Sequence, residues 1–136
     1  MEIPSWDEFR QLKDQAESFY KSVGKVFCIA LQAEVHFTSD GFHHLRYDGN
    51  RSERSKLEQK NKLIYLRQAV DVVKKTTTLQ EYRRSIQAIG KIGKDGFRKT
   101  CSVEYFAFTA ITNIGKGIRL RIVIRKVGEG QFHFWS

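Results

Sequence analysis

Two adjacent histidines, His43 and His44, stand just ahead of Arg46, Arg51 and Arg54 in the stretch TSDGFHHLRYDGNRSERSK, residues 38–56. An imidazole ionises near neutral pH, so it can take or give a proton. A guanidinium grips phosphate through a planar fork and keeps its charge. The combination suits a site that handles a phosphate, and it equally suits a solvated surface turn. Neighbouring helical residues point about 100° apart, so the two histidines cannot share one task. His44, beside the apolar Leu45, is the candidate proton carrier, and His43 is its exposed neighbour. A turn at Gly49–Asn50 lets the backbone fold the arginines back towards His44.

A second cationic set lies near the C-terminus. In GKGIRLRIVIRKV, residues 115–127, Ile118, Leu120, Ile122 and Ile124 alternate with polar positions. On a strand, side chains alternate between faces, so Arg119, Arg121 and Arg125 share the face away from the core. Three guanidiniums side by side repel one another unless an anion joins them, although a solvated strand face would carry the same pattern. In the closing FHFWS the same rule puts His133 and Trp135 on one face, which an adjacent antiparallel strand brings beside the arginines. His133 is then a second acid or base, and Trp135 an aromatic ring against which a nucleobase can stack.

Other chemistries lack their residues. There is no GxxxxGK[ST], no GxGxxG and no CxxC, and HFTSDGFHH fits metal-ligand spacing poorly. Cys28, inside VFCIA, is a buried thiol rather than a nucleophile. The formal net charge is +9, from 24 Lys and Arg against 15 Asp and Glu, which favours a polyanionic partner. The basic residues concentrate in 46–62 and 83–99. No apolar run approaches the roughly 20 residues of a membrane span, and MEIPSWDEFRQLKDQ lacks the basic and apolar regions of a signal peptide.

The elements that must position these groups follow from periodicity. A helix opens the chain, capped by Ser5 with Glu8 three residues on, and presents Trp6, Phe9, Leu12, Ala16 and Phe19 as one stripe. Gly24 ends it. Residues 25–37 are extended, and TSDGFHHL is a short helix seated on the sheet. A long helix is expected over residues 52–75, with Leu63, Leu66, Val70 and Val73 inward. A further helix is expected within TTTLQEYRRSIQAIGKIG, capped by Thr77 or Thr78. Residues 103–111, 115–127 and 128–136 then form an antiparallel meander. The expected class is α+β: N-terminal helices packed on a curved antiparallel sheet that ends in a three-stranded meander. It is a single domain over 1–136, with 1–23 as a helical extension and 24–136 as the core.

The order of these segments resembles the phage- and prophage-associated branch of the nuclease superfamily that groups barnase, EndoU, colicin nucleases and RelE-type toxins. The residues that carry the resemblance are EVHFTSDGFHHL, a basic linker, KLIYL, LQEYRRS and the terminal FHFWS, within about residues 25–136. The resemblance implies metal-independent RNA cleavage by a toxin or effector in a bacterial or phage-encoded cytoplasmic setting, with no cofactor. It implies His44 and His133 as base and acid in either order, His133 or Ser136 as the polar group of the last strand, and Arg119 and Arg121 with Arg51 or Arg54 at the phosphate. Arg46, Arg125 and Trp135 complete the expected substrate contacts. The implied partners are RNA and a cognate antitoxin or immunity protein, with no membrane. A nucleic-acid-binding module without catalysis, and a prophage protein-interaction domain meeting an acidic partner, explain the same basic surface.

Overall fold

The computed structural model describes residues 5–48, 52–89, 92–111 and 117–136. Helix α1 (Trp6–Val23) starts at the expected capping box: the Glu8 amide donates to Ser5 Oγ at 3.2 Å and the Ser5 amide to Glu8 Oε2 at 3.3 Å. Its buried stripe is Phe9, Ala16 and Tyr20, with Leu12 and Phe19 partly covered. Trp6 departs from the expected stripe and is exposed, with the Lys56 ammonium 4.6 Å from its ring centroid. Gly24, at φ +68°, takes the left-handed turn that ends α1.

Strands β1 (Lys25–Cys28) and β2 (Ala33–His36) make an antiparallel hairpin, followed by α2 (Ser39–Arg46). Two helices occupy the region expected to hold one long helix: α3 (Lys56–Ile64) and α4 (Leu66–Lys75). The break falls at Tyr65, whose backbone (φ −91°, ψ 9°) leaves the helical region. The apolar period runs on through Leu63, Leu66, Val70 and Val73 despite the break, which is why sequence alone joins the two. The bend lets α3 pack on α1 and α2 while α4 packs on the sheet.

The expected helix over the LQEYRRS region is instead a strand, β3 (Glu81–Ile89), paired residue for residue with β4 (Lys99–Ile111). Tyr82, Ile86 and Ile89 satisfy a helical period, but tertiary pairing with a long neighbouring strand overrides that local preference. Strands β5 (Arg119–Val127) and β6 (Phe132–Phe134) complete the meander. The sheet order is β1-β2-β6-β5-β4-β3. The architecture is therefore α+β as expected, with β3 added to the meander and one parallel pair, β2 with β6, making the sheet mixed.

The core lies between the helices and one sheet face. Phe106, Phe108, Ile122, Ile124, Phe134, Val35 and Cys28 meet Leu66, Val70 and Val73 there. An aromatic cluster fixes α2 to β6: Tyr20 packs on Phe37, Phe42 and Phe134, and its hydroxyl donates to the Thr38 carbonyl at 2.6 Å. Gly41 lies so close to this junction that a Cβ there would collide with the Phe134 carbonyl and the Tyr20 hydroxyl. Gly41→Ala is expected to lower stability by about 1–3 kcal/mol through overpacking, read as a reduced urea midpoint. An unchanged midpoint would mean that α2 is not held tightly on β6.

Candidate functional site

Strand pairing lines up one residue from each of the six strands in a single cross-sheet rank on the face away from the helices. In sheet order the rank is Arg83, Tyr105, Arg125, His133, His36 and Lys25. Directly opposed residues share a face, so these side chains are neighbours. The Arg83 guanidinium lies 4.8 Å from the Tyr105 ring centroid, and that of Arg125 lies 6.0 Å from the same ring and 4.4 Å from Trp135. Neither arginine makes an ion pair among the described residues. Arg125 Nε is buried without an acceptor. An unpaired buried donor is costly, and an incoming anion would relieve it.

A groove of about 1300 Å³ opens over this end of the sheet, lined by Arg83, Arg98, Tyr105, Arg125, His44 and Trp135, with Asp40 and Asp48 also on its walls. His44 reaches it from α2. Its ring stacks on Trp135 at 4.2 Å, and Nδ1 lies 3.1 Å from the Trp135 carbonyl oxygen. A carbonyl can only accept, so that contact assigns the proton to Nδ1 and leaves Nε2 as the basic lone pair. Burial, then the Arg54 charge, push the His44 pKa from 6.5 down to about 4, against the pull of the Trp135 carbonyl. His133 does not line the groove. It sits edge-on to Trp135 at 6.0 Å, and burial, then the Arg125 charge, hold its pKa below the usual histidine value.

Of the expected site residues, His44, Arg125 and Trp135 thus meet at one groove, with His133 beside them in the rank. Trp135 is already occupied by His44 and Arg125, so it orients those groups rather than offering a free stacking face. Arg121 is held by Glu81, Nε to Oε2 at 2.8 Å, and with Arg119 it lines a different groove. Arg46 and Arg54 are tied into the loop after α2. Arg46 Nε donates to Gln59 Oε1 at 3.1 Å, and Arg54 Nε donates to the His44 carbonyl at 3.1 Å. Gln59 is 1% exposed, and its amide also donates to the Arg54 carbonyl at 2.7 Å. These arginines therefore brace the helix that carries His44. Arg51 and the Gly49–Asn50 turn lie outside the described residues.

Arg83, Arg98 and Tyr105 were not expected at the site. Arg83 was assigned to a helix, and only β pairing places it in register with Tyr105 and Arg125. Among the described residues, no group of three or more His, Cys, Asp and Glu is arranged to hold a metal ion. Scans of family models, curated proteins and solved structures each found no match to this chain.

Between pH 6.5 and 4 the unfolded chain holds a proton on His44 that the folded chain does not. Stability is therefore expected to fall as pH drops through that window. The screened effect is about 1–2 kcal/mol, discounted because the ring is only half-buried. Urea midpoints at pH 7 and 4.5 check this, with His44→Gln losing less than the wild-type chain. Equal losses would mean that His44 titrates as an ordinary histidine.

Proposed function

We propose that the chain is a metal-independent endoribonuclease of the toxin or effector type, with the groove between α2 and the Arg83–Tyr105–Arg125 rank as its cleft. The observation that carries this reading is the meeting of His44, Trp135 and Arg125 at that groove, with His133 next in the rank. The charge suits an RNA partner, and the active protein would need an antitoxin or immunity protein in the cell that makes it. Among the described residues, no helix is long and apolar enough to cross a membrane.

In this scheme His44 Nε2 removes the proton of a ribose 2′-hydroxyl. The 2′-oxygen bonds to phosphorus, and the bond to the 5′-oxygen breaks. His133, opposite Arg125 in the rank though outside the groove's lining, protonates the leaving 5′-oxygen of a strand that crosses the rank, giving a 2′,3′-cyclic phosphate and a free 5′-hydroxyl. Arg125 and Arg83 stabilise the negative charge that grows on the phosphate oxygens. Burial, with the charges of Arg54, Lys62 and Arg125, holds the basicity of His44 down. A bound phosphate offsets those charges and moves both imidazoles towards neutral pKa values, where proton transfer is most effective.

One observation favours a second reading, a nucleic-acid-binding module without catalysis. An imidazole of pKa about 4 is a weak base at neutral pH, and that module would need only the basic groove.

End-labelled RNA incubated with purified protein and a chelator separates the two. Cleavage is expected, falling about 10²–10⁴-fold in His44→Ala and in His133→Ala. Arg125→Met should cost about 10²–10³-fold. Arg121→Ala, whose partner is Glu81, should stay within a few-fold of wild type. RNA that binds yet stays whole would favour the binding module. Cleavage unaffected by both histidine changes would remove them from the mechanism.

A further inference from the structure

A second groove, of about 360 Å³, lies on the other side of the wall formed by His44–Leu45 and Trp135–Ser136. His44 and Trp135 line the first groove, while Leu45 and Ser136, the residues that follow them, line the second. The two are therefore adjacent across one seam. The floor of the second is apolar, from Leu66, Leu120, Ile122 and Phe134, and its rim carries Lys62 and Arg119. Neither cation makes an ion pair among the described residues. Asn61 Oδ1, also in this lining, is buried with no donor.

An apolar floor, two cations without a close ion pair and an orphaned carbonyl acceptor describe a ligand that is flat, partly apolar, anionic at one end and equipped with an N–H donor. The volume is that of a small-ligand pocket, roughly 300–1,000 Å³ in such sites. We propose that this groove is a nucleobase subsite that takes one base of the strand whose phosphate lies in the first groove. In it, Asn61 Oδ1 accepts from an exocyclic amino group, and Lys62 and Arg119 meet the adjoining phosphate. Cytosine presents such an amino group. Uracil has no exocyclic amino group to give the Asn61 carbonyl, and its ring N–H is flanked by carbonyl oxygens on both sides. The subsite rests on the nucleic-acid reading above but not on cleavage.

The test uses uncleavable 2′-O-methyl hexamers of cytidine and of uridine with the full chain. The cytidine hexamer is expected to bind about tenfold more tightly, the worth of one hydrogen bond to an otherwise unpaired buried group. Asn61→Ala should bring the two affinities together, and Lys62→Met should weaken both alike. Should Asn61→Ala fail to fold, cytidine 5′-monophosphate added to the wild-type chain is expected to shift the Asn61 side-chain amide signals in NMR. Equal binding of the hexamers, a preference that survives Asn61→Ala, or unmoved Asn61 signals would overturn the subsite. Cleavage without cytosine preference would overturn the subsite and leave the nuclease standing. A cytosine preference without cleavage would do the reverse.

Discussion

The whole arrangement depends on a three-residue strand inserted at the middle of the sheet. β6 pairs in parallel with β2 and antiparallel with β5, so it joins the β1–β2 hairpin to the four-stranded remainder. So few backbone hydrogen bonds would not hold such a strand in water, since even a two-stranded hairpin is marginal alone. Burial holds it. Phe134 is enclosed by Phe37 and Tyr20, and a fully buried side chain of this size contributes about 1.5–3 kcal/mol. Phe132 packs on Phe106. With Phe134 pointing into the core, His133 must point to the opposite face, into line with Arg125 and His36. One residue of slippage would exchange those roles.

The arginines divide by the company they keep. Arg46, Arg54 and Arg121 each turn Nε to an amide, carbonyl or carboxylate oxygen, which limits what they offer a ligand. Arg83 and Arg125 instead lie against aromatic rings, a weaker partnership that leaves donors open. The second kind is the better candidate for an anion site. The imidazoles of His44 and His133 lose basicity chiefly through burial, and the positive charge near them adds to the loss. Gln59 has a quieter part: a neutral side chain buried where the arginines converge holds α2 in place without adding a charge near His44.

Features that depend on a few adjacent residues were legible in the sequence. The Ser5–Glu8 cap, the alternation that sends Ile122 and Ile124 inward with Arg121 and Arg125 outward, and the shared face of His133 and Trp135 all follow from local periodicity. What depends on distant partners was not. Residues 81–89 fit either period, and only β4 decides between them. The i,i+4 pair of Arg54 with Glu58 could be read locally, but the Gln59 partner of Arg46 sits 13 positions away and the Glu81 partner of Arg121 sits 40 away, without a local signature. The β-forming Tyr82, Ile86 and Ile89, after three threonines, were the available hint of β3, and with it of Arg83 facing Tyr105.

The parallel seam between β2 and β6 closes one of the longest loops in the molecule, while the β1–β2 and β3–β4–β5 pairings join sequence neighbours at a lower entropic cost of loop closure. His133, Trp135 and the carbonyl that orients His44 all arrive with that seam. A chain that had formed only its hairpins would therefore carry the basic strands without the meeting of His44, Trp135 and Arg125, which depends on closing that long loop.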